Sequence, residues 1–213
     1  MNLFEIIKLS IINCMRKLCD VWGYYKLMKY RHLQSEPLKD CYIEYGFNLF
    51  LYETVRKLRP KKVLEIGYGN ETNIISQALK DNGFGELHSI CISSYWFDII
   101  KKQLPHENCH LIRSSLSIVD YEDKKVFRHS NIPEMDYDIV IVHSPPIKGD
   151  VKITIDPMFL KFKCLIIKGR KINSMFFKER LRGFIFKRKW LLYCFVYMKK
   201  DNAKNEAMLV LAD

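Results

Sequence analysis

The run Tyr137-Asp138-Ile139-Val140-Ile141-Val142 constrains the fold of this chain most. Its last four residues are consecutive β-branched aliphatics with no polar face, so a strand here is buried on both sides. Such a strand needs a cover on each face of its sheet, which α/β domains supply with crossover helices. Other short apolar runs stand at Lys62-Val63-Leu64-Glu65-Ile66, 87–92, 109–113 and 164–167. Helical spacing fills three of the gaps: 72–79, closed by Asp81-Asn82-Gly83; 95–104, halted at Pro105; and about 172–181. Strands alternating with helices over 62–182 predict a doubly wound, mostly parallel sheet. Segments 190–197 and 207–211, joined by Asp201-Asn202, read as an antiparallel hairpin at one edge. Residues 114–136 are polar and mixed, and read as a loop with room for one helix.

Ahead of Pro60 the pattern is helical throughout. From Leu3 to Leu33 apolar residues recur at helical spacing (Phe4, Ile7, Ile11, Met15, Leu18, Trp22). Gln34-Ser35-Glu36-Pro37 breaks this stretch, and a second helix runs from about Tyr42 to Leu58. The organisation expected is an N-terminal helical extension over 1–59 and an α/β domain over 60–213. Residues 1–32 hold six Lys+Arg against two acids. A basic amphipathic helix with Trp and Tyr suits both packing on its own domain and peripheral contact of residues 1–33 with an anionic membrane.

Composition excludes several classes. With 213 residues, 48% apolar and 28% charged, the chain can bury a full core. Its 9 Gly and 7 Pro, without low-complexity runs, exclude collagen and disorder. Its longest apolar run, Leu191 to Met198, falls well short of the roughly 18–20 residues needed to span a bilayer. Lys8 interrupts the first apolar run, which makes a poor signal peptide. Seven scattered Cys with no CxxC pair fit a reducing cytoplasm rather than a disulfide framework. The net charge of +11 is uneven: residues 161–200 carry 13 Lys+Arg against the single acid Glu179. That segment suits a polyanion such as RNA, an anionic lipid surface or a phosphorylated carrier, and equally a solvated basic rim.

In a doubly wound sheet, ligands bind beyond the carboxyl ends of the central strands. There the first strand delivers Glu65-Ile66-Gly67-Tyr68-Gly69-Asn70, two glycines that permit a tight turn and close backbone approach to a ligand. The dinucleotide fingerprint needs a third glycine where Thr72 stands, which argues against a nicotinamide site.

Val63-Leu64-Glu65-Ile66-Gly67-Tyr68-Gly69 resembles motif I of the class I S-adenosylmethionine-dependent methyltransferases, and 137–146 resembles their fourth strand and motif IV. The element order of 60–213 is similar to their Rossmann-like, seven-stranded sheet with a reversed C-terminal hairpin. The resemblance implies S-adenosylmethionine as cofactor, with Glu65, Gly67, Tyr68, Gly69 and Asn70 at its binding turn. It places Cys91 where the family carries a ribose-binding acid, and Ser115, beside Ser114, near the usual adenine-binding acid. His143 stands where small-molecule enzymes often carry Asp, and suits a general base that takes a hydroxyl proton during methyl transfer. Asp150 suits a residue that orients His143. The histidines at 32, 88, 106, 110 and 129 show no ligand spacing in the sequence, so no metal is expected.

Lys168-Gly169-Arg170 adds two cations after the fifth strand that suit a phosphate or carboxylate of the acceptor. Ser144-Pro145-Pro146-Ile147 matches only in part the polar-Pro-Pro-aromatic motif of nucleic-acid amino-methyltransferases, because Ile147 replaces the ring. The activity implied is methyl transfer to an oxygen of a small-molecule or glycan acceptor. The alternatives are a catalytically degenerate domain that binds RNA, a membrane or a partner enzyme, and a nucleic-acid amino-methyltransferase.

Overall fold

The structure, a computed structural model, describes residues 3–29, 43–103, 107–143, 151–169, 171–189, 191–192 and 194–200. Two helices come first, α1 (Leu3–Met28) and α2 (Tyr45–Leu58). Then follow β1 (Lys62–Ile66), α3 (Asn70–Asn82), β2 (Glu86–Cys91), α4 (Ser94–Gln103) and β3 (Cys109–Arg113). A hairpin, β4 (Leu116–Tyr121) and β5 (Lys124–His129), precedes β6 (Asp136–Val142) and β7 (Lys161–Lys168). The chain continues through α5 (Lys171–Arg180), β8 (Phe184–Lys189) and β9 (Cys194–Lys199).

Seven strands form one sheet in the order β3-β2-β1-β6-β7-β9-β8, and β9 alone runs against its neighbours. The mostly parallel, doubly wound sheet read from the sequence is therefore present. The chain leaves β1 toward one edge through β2 and β3, then returns to β6 on the other side of β1. This places the switch point between β1 and β6, the position whose crevice takes the ligand in doubly wound sheets. Each face buries its own core. One joins α2 and α3 (Phe47, Leu51, Ile75, Leu79) to Val63, Ile139, Ile141 and Ile166. The other joins α5 and the hairpin (Phe176, Phe177, Val126) to Leu64, Val140 and Leu165. Each such side chain contributes about 1.5–3 kcal/mol through burial.

Two segments differ from the sequence reading. Residues 114–136 contain the β4–β5 hairpin rather than a helix, and its tight turn places Glu122 at φ +53. The turn residues Glu122-Asp123 lack the Asn-Gly or Asp-Gly signal that marks a hairpin in sequence. The C-terminal antiparallel pair is β8–β9, one strand earlier than expected. Its first strand, Phe184-Ile185-Phe186 followed by Lys187-Arg188-Lys189, falls between the helix and the strand expected from sequence, and half of it is cationic. That suits a sheet edge, where charged side chains discourage further pairing. The expected strand at 207–211 lies outside the described residues.

α1 docks on α2 through a glycine contact. A Cβ on Gly23 would stand 2.6 Å from the backbone of Tyr45 and Gly46, and the Gly46 amide donates to Asp20 Oδ1 at 3.0 Å. Only residues without side chains let the two helices approach this closely.

Candidate active site

The crevice is built around Glu65, whose side chain is fully buried. Parallel register sets Glu65 beside Ser89 of β2, so both side chains fall on the α3 face of the sheet. Glu65 Oε2 accepts from Ser89 Oγ and from Thr72 Oγ1, each at 2.7 Å, and Oε1 lies 3.0 Å from His143 Nε2. A buried carboxylate needs such donors, and three converge on this one. Thr72 also accepts from the Gly69 amide at 3.3 Å, which ties the glycine turn to the carboxylate.

The turn itself has the geometry the sequence requires. Gly67 lies at φ +91, a region that favours glycine, and its amide donates to Ile90 O. A Cβ there would stand 3.0 Å from His143 Cβ, so the histidine packs directly over the turn. Tyr68 and Asn70 are half-buried, and Gly69 is the N-cap of α3, with the Glu71 carboxylate folded back over it. Tyr68 faces Trp96 at the start of α4 with ring centroids 6.1 Å apart, and Tyr95 extends this aromatic wall.

A second charged group closes the floor. Lys168, at the end of β7, reaches Glu71 Oε1 at 2.5 Å and Glu44 Oε2 at 3.1 Å, and lies over the Phe47 ring. Phe47 in turn meets the His143 ring edge-on at 6.5 Å. Burial works to raise the Glu71 carboxyl, but its electrostatic interactions with His143 and Lys168, and the Lys168 hydrogen bond, outweigh it and hold the carboxyl below its ordinary range. Burial likewise works against the Lys168 ammonium, but Glu71 and Glu44 raise it above its ordinary value. The crevice thus holds a carboxylate–imidazole pair and a carboxylate–ammonium pair side by side.

The other residues singled out in the sequence fall as follows. Cys91 ends β2 fully buried, with Sγ 3.2 Å from Ser93 O, and burial raises its thiol, so it is a neutral donor. Ser115 is exposed and its hydroxyl donates to Ser130 Oγ at 3.0 Å, while buried Ser114 accepts from the Ser130 and Asn131 amides. These serines staple the end of β3 to the end of β5. His143 ends β6 with its ring turned back onto Glu65. Asp150, Arg170 and the Ser144-Pro145-Pro146-Ile147 segment lie outside the described residues. Sequence reasoning missed Glu71, Ser89, Glu44 and Trp96; the first two show only once strand register and the first turn of α3 are known.

Strand pairing also gathers histidines that sequence spacing leaves apart. Glu86 and His88 share a face of β2, and His110 of β3 is the register partner of His88. Their ligand atoms lie within 4.8 Å of one another, a donor grouping that linear spacing does not show. Lys62 competes there, with Nζ 3.9 Å from Glu86 Oε1.

No family model and no curated protein matches the chain. Among solved structures it is similar to a methyltransferase from Geobacter sulfurreducens, at 15% identity over 83% of this chain and 89% of that one, with a TM-score of 0.50. It is also similar to a Staphylococcus aureus protein provisionally assigned as a caffeoyl-CoA O-methyltransferase, at 13% identity over 84% and 100%, with a TM-score of 0.50. These likenesses, with a mostly parallel seven-stranded sheet in which β9 alone is reversed, give the chain the Rossmann-like fold of the class I methyltransferases.

Proposed function

We propose that this protein is an S-adenosylmethionine-dependent methyltransferase acting on an oxygen of a small-molecule or glycan acceptor. The observation that carries the reading is the Glu65-x-Gly67-x-Gly69 turn, opening at the switch point between β1 and β6. The residues around it fit the cofactor's parts. Tyr68 and Trp96 offer faces for an adenine, and the glycine turn lets backbone approach the ligand closely. Lys168 and Glu71 offer one charge of each sign to an amino-acid zwitterion. When bound, the cofactor supplies an electrophilic methyl group on sulfur.

The chain's own part is to position and to move a proton. Glu65 accepts from His143 Nε2–H, because an ionised carboxylate can only accept. That leaves Nδ1 as the ring atom that takes the proton of an acceptor hydroxyl, and the buried Glu65 stabilises the imidazolium that results. The test is turnover: release of S-adenosylhomocysteine by the purified chain with a panel of phenols, catechols and sugars, against amine-bearing nucleosides. Release with hydroxyl acceptors supports the reading, and release only with amines overturns its oxygen specificity.

One observation favours a second reading, a methyltransferase-fold domain that binds without catalysis. Ser89, Thr72 and His143 all direct donors at the Glu65 carboxylate, and Cys91 replaces an acid at the ribose position. Cofactor binding without turnover on any acceptor would select it.

A further inference from the structure

α1 turns its apolar side outward. Its half-buried and buried residues are Ile12, Arg16, Cys19, Asp20, Gly23, Lys26 and Leu27, and the face they share, centred on Gly23, meets α2. On the opposite face Ile7, Ile11, Leu18, Trp22 and Tyr25 follow one another at helical spacing, each between 47% and 64% exposed. Met15, Val21 and Met28 widen the stripe. A soluble helix normally buries such a stripe, and contiguous exposed apolar surface of this kind marks an interaction site.

The charges around the stripe identify what covers it. At about 100° per residue, Lys8 and Lys26 fall on one flank and Lys17 on the other. Lys26 and Lys29 lie over the rings of Trp22 and Tyr25, at 5.2 Å from each centroid, so cations sit directly beside the aromatic part of the stripe. On the docked side, Arg16 and Lys17 line a groove with Asp20, Glu44, Leu191 and Leu192, where cations meet acids, so the unbalanced lysines are those beside the stripe. No described helix is long and apolar enough to cross a membrane. An apolar stripe with Trp and Tyr, bordered by Lys and fixed to the domain by the Gly23–Gly46 contact, matches a helix lying in the plane of a lipid surface.

We propose that α1 seats the protein on an anionic lipid bilayer, its apolar stripe among the acyl chains and its lysines among the headgroups. The glycine contact with α2 holds the folded domain rigidly to the helix, so the crevice stays at a fixed height above the surface. A second copy of the chain offers the same positive charge and is disfavoured as a partner.

The test is co-sedimentation of the full chain with vesicles of phosphatidylcholine alone and of phosphatidylcholine with phosphatidylglycerol, alongside sedimentation velocity without lipid. Binding to the anionic vesicles at least about tenfold tighter than to neutral ones, weakening as salt rises, is expected. Leu18→Glu with Trp22→Glu should abolish it while thermal unfolding is unchanged, since both side chains face outward. Charge reversal at Lys8 and Lys17 should weaken binding to anionic vesicles while leaving the fold intact. Absence of binding, or equal binding by the Leu18→Glu/Trp22→Glu variant, overturns the proposal. So does a wild-type dimer that the same variant dissociates, which assigns the stripe to a second copy.

Discussion

Lys168→Met tests the charged floor of the crevice. In the wild type its ammonium is shared between Glu71, 8% exposed, and Glu44, 33% exposed. Met keeps the volume and removes the charge. Glu44 regains water, whereas Glu71 is left as a buried carboxylate whose ammonium partner is gone. Breaking such a buried pair costs about 3–5 kcal/mol, and most of that falls on Glu71. Glu71→Gln is milder: the amide oxygen still accepts from Lys168, and Lys168 keeps Glu44, so the loss is about 1–2 kcal/mol. The double variant sets a neutral amide against a thioether and should be less unstable than the sum of the singles by about 2 kcal/mol. Urea unfolding followed by circular dichroism reads these as midpoint shifts at constant slope. Additivity within about 0.5 kcal/mol would refute the coupling, as would a Lys168→Met loss below about 1 kcal/mol. The pH dependence has a definite sign. Glu71 is lowered in the folded state, so its contribution is present above the ordinary carboxylate range and fades as pH falls through its folded value. Lys168 is raised, so its contribution is present up to the ordinary lysine range and fades as pH rises through its folded value. The gap between wild type and Lys168→Met should therefore be flat near neutrality and close in acid.

Gly67→Val places a β-branched residue at φ +91 against His143, and should cost about 1–3 kcal/mol of stability in thermal unfolding. Gly67→Ala should cost less, and an unchanged melting point in both would show that the turn relaxes freely. His143→Ala should lower methyl transfer by about 100-fold or more, with little change in cofactor affinity. A near-normal rate would make the histidine a packing residue over Gly67. His88 is buried and its imidazole is pushed below its ordinary value by burial. The unfolded chain therefore binds that proton first, and stability should fall as pH drops below about 6.5. A His88→Asn variant should lose part of that acid sensitivity in urea unfolding at several pH values.

The sheet was legible because its central strands are short, largely apolar runs that end in glycine or at a polar turn. β1, β2, β3 and β6 all lie within a residue or two of where the pattern places them. The β4–β5 hairpin was not, since its strands are half-exposed and its turn is Glu-Asp. β8 was hidden by its own edge chemistry, three cations in a row. Within the crevice, Glu65 and the glycines stand out because backbone geometry demands them. Ser89 and Glu71 do not, since a serine in mid-strand and a glutamate in a first helical turn are ordinary until register sets them beside Glu65 and Lys168. The grouping of Glu86, His88 and His110 is likewise a product of β2–β3 register and leaves no trace in linear spacing. The outward apolar face of α1 is visible as a pattern, but only the docked side shows which face is left over.

Isothermal calorimetry of the purified chain with S-adenosylmethionine and S-adenosylhomocysteine tests the central claim most directly. The turn at Gly67–Asn70 with the Lys168–Glu71 floor predicts saturable, one-site binding of both ligands, lost in Gly67→Val and weakened in Lys168→Met. No heat at millimolar ligand from a folded wild-type protein would contradict it, and would leave the crevice as a sealed ion-pair network rather than a cofactor site.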